Sequence, residues 1–371
     1  MNKYKTLSLV LILFQLVFII ETSSSQKVKL SDNHPKKVIL LIGDGMGLTE
    51  IYAAMNAVTY KLNITRCTNT ALVKTSSADN DITDSAAAGT AIATGSKTNN
   101  GYLGVTPDNK PLKSILKIAE ENGLSTGLVA TADITHATPA SFIACLADRD
   151  KADEIATQFL NTDVDVFIGG GYNTFTKRAD NKNYIDSLRR THYQIATSVA
   201  DLDNIHHGKL AGLLYPEHAP KEMDGRGDML SVSTSKALEL LSQNKDGFFL
   251  MVEGSQIDWG GHDNNFKYQI TELLDFDKAV GVALDYADKN TGTLVIVTAD
   301  HETGGLTLVE NSTDETKMQP DFSTTGHTGT PVILFAYGVG AENFKGFIDN
   351  TDIFKLILQS YHFSHSKNKS K

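Results

Sequence analysis

Short runs that are apolar throughout recur along the chain, each bounded by Gly, Asp or Pro: Val38–Ile42, Thr126–Ala130, Val164–Ile168, Phe248–Val252, Thr293–Thr298 and Val332–Ala336. A strand with one face in water alternates apolar and polar residues, whereas a strand apolar throughout is covered on both faces. Helical patterns fill the intervals, as at Leu112–Asn122, Ser231–Leu241 and Tyr268–Ala287. This alternation predicts an α/β three-layer sandwich: a mostly parallel, doubly wound central sheet with helices on both faces.

The chain has 371 residues, 41% of them hydrophobic, which is enough for one large domain over residues 26–371. Residues 171–225 are more polar and irregular and read as an insertion or cap. Asn311–Thr325 reads as a surface loop, and Ser364–Lys371 as a frayed tail. Residues 1–25 read as a signal peptide: Lys3 and Lys5 precede an apolar run from Leu7 to Ile20, followed by Ser23-Ser24-Ser25. The alternative is a membrane anchor, but the run falls short of the ~18–20 apolar residues a span needs. Periplasmic or secreted export is therefore expected, with no membrane span after signal cleavage. In a eukaryotic host Asn63-Ile64-Thr65 would be a glycosylation acceptor. Cys67 and Cys145 could pair outside the cell, although Cys145, among Phe142, Ile143 and Leu146, reads as a small buried residue of a helix.

A formal net charge of -10 argues against a nucleic-acid partner. It would also repel a small anionic substrate unless something strongly positive sat in the site, as a metal cluster would.

The chemistry gathers where strands end. Asp44 follows Val38–Gly43, and Glu253 closes Phe248–Val252 with Asp258 and His262 close behind. Asp300-His301 follows Leu294–Ala299. His136 and Thr138 come after Thr126–Thr131, and His327 precedes Val332–Ala336. Open α/β sheets bind ligands at the carboxyl ends of their strands. One carboxylate there is usually a helix cap; several on one rim are hard to explain that way. Mixed carboxylate and imidazole donors suit Zn²⁺, while Asp44, Glu253 and the Thr138 hydroxyl offer oxygen to a harder ion such as Mg²⁺.

Ser85 is the candidate nucleophile. It stands before the Ala-rich segment Ala86–Ala91, which should be helical, and so at a helix N-terminus that favours an anion. The competing reading makes Ser85 only an N-cap. No general base is evident, and direct metal coordination would remove the need for one.

With these segments in view the chain resembles the alkaline phosphatases over nearly everything after the signal, and most of all their short, cold-adapted, bacteroidete-like branch. The resemblance rests on an ordered set: the Asp44 turn, Thr83–Ser85, His136-Ala137-Thr138-Pro139, Arg149, the segment from Glu253 through Asp258 to His262, Asp300-His301-Glu302 and Gly326-His327-Thr328. It implies two Zn²⁺ and one Mg²⁺. Asp258, His262 and His327 would hold the first zinc, and Asp44, Asp300 and His301 the second. Asp44, Thr138 and Glu253 would hold the magnesium. It implies that Ser85 forms a phosphoserine, that Arg149 clamps phosphate and that Asp84 orients Arg149. Substrates would be small phosphate monoesters of broad range, and the family is commonly homodimeric.

His136 and Trp259 stand where the enterobacterial branch has Asp and Lys. Both would lie near the third metal and the phosphate, and loss of the lysine charge predicts weaker phosphate binding and faster product release. Trp259 could instead be loop packing. Two rival functions remain: a nucleotide phosphodiesterase of the same superfamily, which would lack the Glu253 and Thr138 site, and a non-catalytic phosphate- or metal-binding relative, which would be expected to lose Ser85, Arg149 or a zinc ligand.

Overall fold

The structure is a computed structural model, and it describes residues 34–363. The expected signal segment and the tail from Ser364 lie outside the described residues. The strands in chain order are β1 Lys37–Gly43, β2 Asn69–Lys74, β3 Ser125–Asp133, β4 Val166–Gly170, β5 Tyr193–Ala196, β6 Lys209–Tyr215, β7 Phe248–Gly254, β8 Thr293–Thr298, β9 Glu302–Thr303, β10 Leu306–Asn311, β11 Asp314–Phe322, β12 His327–Thr328, β13 Val332–Gly338 and β14 Gly346–Asp349. Ten of them form one sheet in the order β14-β2-β13-β8-β1-β7-β3-β4-β6-β5.

Each of the six apolar runs lies within or overlaps a strand of this sheet. β13 runs antiparallel to both its neighbours, and the other pairings are parallel. Every residue of β7 and β8 is buried, as is β1 after its first residue, so both faces of the central sheet are covered. The helix Met229–Leu241 packs on β3, β4 and β7, and the helix Phe266–Lys289 on β1, β7 and β8.

Register sets the site. β1 lies between β7 and β8, with Ile42 opposite Glu253 on one side and Thr298 on the other. Asp44, Glu253 and Asp300 are therefore brought to one edge although they are far apart in sequence. Gly45 completes the turn after β1. Its φ is +71°, and an added Cβ would fall 2.7 Å from Cα of Asp258, so a side chain there is excluded twice over.

The stretch 171–225 contributes β5 and β6, which extend the sheet beyond β4. Two expectations are corrected. The polar stretch 311–325, read as a loop, is largely a strand: β11 pairs antiparallel with β10, a two-stranded ribbon whose outward residues are polar because both its faces are partly wet. Cys145 lies in no helix; the short helix Ala137–Ala140 ends before it, and its amide bonds Oε1 of Gln158 at 2.9 Å. Cys67 and Cys145 are both free thiols, and burial pushes Cys67 up to about 12. The Asn63 amide donates to the backbone carbonyl and Oδ2 of Asp277, each at 3.1 Å.

Candidate active site

Ser85 opens the helix Ser85–Thr94, and the capping residue before it is Asp84, whose Oδ1 accepts the Ala87 amide at 2.9 Å. The N-cap reading of Ser85 is thus replaced: Asp84 does that work, leaving the buried Ser85 hydroxyl available. Its Oγ lies 3.3 Å from Nε2 of His301. The other oxygen of Asp84 accepts the Gly101 amide at 3.0 Å and pairs with Nη1 of Arg149 at 2.9 Å. The Arg149 backbone is held in turn by its amide on the Gly101 carbonyl.

The imidazoles are oriented by their outer nitrogens. Nδ1 of His327 donates to the Thr83 carbonyl at 2.8 Å, and Nδ1 of His262 to the Thr325 carbonyl at 2.6 Å. Deprotonated at Nε2, as a metal ligand must be, each presents a lone pair inward; the two nitrogens stand 3.2 Å apart, with Asp258 oxygens 3.3 and 3.4 Å away. Two nitrogens bound tetrahedrally to zinc at 2.0–2.1 Å stand about 3.3 Å apart, so this spacing fits one ion. The Thr303 hydroxyl donates to Oδ1 of Asp258 at 2.5 Å and lies 3.2 Å from Nδ1 of His301. That contact fixes the His301 proton on Nδ1 and turns its Nε2 lone pair toward Asp44 at 3.5 Å and Asp300 at 3.3 Å.

Acceptors facing acceptors repel unless a cation lies between them. Among the described residues, both carboxylate oxygens of Asp44, Oδ2 of Asp300, Oε1 of Glu253, Oγ1 of Thr138 and Nδ1 of His136 are buried without a hydrogen-bond partner. Such groups cost about 1–3 kcal/mol each when left unmade, so a cluster of them points to missing cations. Three groups bring donor atoms within 4.8 Å of one another: Asp258, His262 and His327; Asp44, Asp258 and His301; and Asp44, His136 and Glu253. Asp300 lies outside these groups, with its Oδ2 3.3 Å from Nε2 of His301. Asp258 also stands within reach of the second group, where only Asp44, Asp300 and His301 were expected, and His136 joins the third.

The electrostatics follow from burial. Burial, then Asp300, Asp258 and Glu253, hold Asp44 well above the usual carboxylate range. Burial pushes Glu253 up to about 7, and burial with Asp258 pushes Asp300 up to about 6. His136 falls to about 3 through burial, and His301 falls well below its ordinary value for the same reason. The hydrogen bond to Asp258 lifts His262 to about 9. Burial alone would raise Asp258, but bonds from His262 and His327 outweigh it and hold it well down.

Sequence reasoning missed three supporting residues. Thr303 orients His301 and Asp258, Ser255 donates to Oε2 of Glu253 at 2.6 Å, and His218 packs against Trp259. Thr303 and Ser255 each follow a ligand by two residues, which is the signal available for them. His218 has none, because it lies in the stretch read as irregular.

A carboxyl-edge rim rich in cation-seeking donors, beside a capped serine and a guanidinium, belongs to metal-dependent hydrolases of phosphate esters. The profile of the alkaline phosphatase family matches residues 35–319. Alkaline phosphatase 3 of Bacillus subtilis is 32% identical, with 93% of each chain covered. The alkaline phosphatase of the Antarctic bacterium TAB5 is 46% identical, with a TM-score of 0.87 over 89% of this chain and 99% of that one. A variant of that enzyme with a histidine changed to aspartate carries Mg bound in the M3 site; it is 43% identical, with a TM-score of 0.85 over the same shares of the two chains. The chain belongs to the alkaline phosphatase family, and it is a metal-binding hydrolase of phosphate monoesters.

Proposed function

We propose that hydrolysis runs through a phosphoserine on Ser85. The observation that carries this is the division of labour at the helix start: Asp84 takes the capping role and the Arg149 pair, and Ser85 Oγ is left beside His301. Arg149 holds two non-bridging phosphate oxygens in its planar fork. The amides at the start of the helix Ser85–Thr94 face the same anion. Ser85 Oγ forms a bond to phosphorus in line with the ester oxygen, whose bond breaks as the alcohol leaves. Water then displaces Ser85 from the phosphoserine and releases inorganic phosphate.

The buried donors fit two zinc ions and one magnesium. Asp258, His262 and His327 would hold the first zinc; Asp44, Asp300 and His301 the second; and Asp44, Thr138 and Glu253 the magnesium. Bound there, the ions would supply Lewis-acid stabilisation of developing oxyanions and a lowered hydroxyl pKa. The relative's aspartate variant with Mg in its M3 site bears on His136, which stands with Asp44 and Glu253 here. Imidazole suits a hard ion less well than carboxylate, so His136→Asp should tighten magnesium. Trp259 and His136 wall the phosphate side of the site. Export through cleavage near residue 25 and assembly as a homodimer complete the reading. Among the described residues no helix is long and apolar enough to cross a membrane.

Elemental analysis of the purified protein tests the metal assignment. Two zinc and one magnesium per chain are expected, with one zinc lost in His327→Ala. Full activity with one metal or none would contradict it.

A further inference from the structure

Trp259 is the chain's one tryptophan. It sits in the seven-residue helix Gln256–His262, between Asp258 and His262. Two imidazoles stand against it. The His218 ring lies 4.8 Å from it at 80°, and the His136 ring 5.9 Å at 81°. The two imidazoles are themselves 5.9 Å apart at 89°. Each ring thus meets the other two nearly at right angles, an arrangement aromatic rings favour.

His218 is exposed, yet it is not loose. Its Nδ1 accepts the Asp133 amide at 2.9 Å, which leaves the ring proton on Nε2. The residues on either side are stitched to the core. The Glu217 carbonyl accepts the Gly171 amide at 2.7 Å, and the Ala219 amide bonds the Thr131 carbonyl at 3.1 Å. The Ala219 carbonyl accepts Nε2 of Gln256 at 2.8 Å, from the helix that carries Trp259. The loop approaches β4 so closely that a Cβ on Gly170 would lie 1.7 Å from the Glu217 carbonyl oxygen. An imidazole on so firm a post, aimed at one indole, does more than cover surface.

We infer that His218 is a positioning residue for this reaction: it clamps Trp259 against His136 and thereby sets how tightly the site holds phosphate. The inference rests on the reading that Trp259 and His136 wall the phosphate side. A loose indole would have to be ordered each time phosphate binds, which weakens binding of substrate and product alike while leaving Ser85 and Arg149 in place.

The test uses the metal-replete enzyme with p-nitrophenyl phosphate as substrate and inorganic phosphate as inhibitor. Emission from the single tryptophan reports on the clamp directly. In His218→Ala we expect red-shifted emission, KM and the phosphate inhibition constant raised together by about fivefold, and kcat within about twofold, the size of one aromatic pair. His218→Phe, which keeps a ring against Trp259, should restore both constants. Wild-type constants and emission in His218→Ala would overturn the inference, and so would a His218→Phe variant as impaired as His218→Ala. Trp259→Ala separates the two levels. An unchanged phosphate constant there removes the underlying reading and the inference together; a changed one beside an unaffected His218→Ala removes the inference alone.

Discussion

Nη1 of Arg149 lies 2.9 Å from Oδ2 of Asp84, the carboxylate whose other oxygen caps the helix that begins at Ser85. One side chain therefore fixes both the start of the nucleophile's helix and the guanidinium. Neither partner is fully buried, with side-chain exposures of 23% and 19%, so the pair contributes more to orientation than to stability.

The two tasks of Asp84 can be separated. Asparagine caps a helix about as well as aspartate, whereas alanine loses about 1 kcal/mol. Asp84→Asn keeps the cap but turns an amide nitrogen toward the Gly101 amide and Arg149, so it should melt only slightly lower and lose about tenfold in kcat/KM. Asp84→Ala should lose similar activity and melt lower still. Steady-state kinetics beside thermal melts of both variants check this.

A guanidinium that clamps two non-bridging oxygens disfavours a substrate in which one of them is esterified. Losing one charge-assisted contact costs about 1.5–3 kcal/mol, or roughly 10–150-fold. The chain should therefore prefer p-nitrophenyl phosphate over bis-p-nitrophenyl phosphate by about 10–150-fold in kcat/KM, and Arg149→Ala should narrow that ratio. Glu253→Gln should weaken magnesium retention without favouring the diester. A preference for the diester in the wild-type protein would contradict the Arg149 clamp.

Removing the metals should reverse the usual effect of alkali. In the metal-free chain burial lifts Glu253 from 4.5 to about 7, and Asp258 lifts His262 from 6.5 to about 9. A group whose folded pKa exceeds its unfolded value contributes stability that is present below the unfolded pKa and lost as pH rises through the folded one. His136 and His301 are shifted downward, and their contributions are complete above about 6.5. Between pH 6.5 and 9 the chelated protein should thus melt progressively lower, whereas the loaded protein, whose ligands must be deprotonated to bind, should not. Thermal melts across that window, with and without chelator, decide it.

Much of this was legible in the sequence because the central strands are buried on both faces, and continuous apolar runs such as Val38–Ile42 and Thr293–Thr298 need no partner to be recognised. The ligands were legible for a related reason, since a carboxylate directly after a buried strand is conspicuous. What stayed hidden depends on contacts distant in sequence. Tyr193–Ala196 becomes a strand only by pairing with Lys209–Tyr215. His218 becomes part of the site only because Gly170 lets its loop approach. Asp84 and Ser85 are both good N-caps, and the Gly101 amide and Arg149 decide between them from 17 and 65 residues away.

The nucleophile is the central claim. Enzyme mixed with p-nitrophenyl phosphate, quenched in acid and digested, should yield a peptide phosphorylated at Ser85, and Ser85→Ala should carry no phosphate there and lose about 10³-fold or more in kcat. Phosphate on a different residue, or wild-type turnover in Ser85→Ala, would contradict the account.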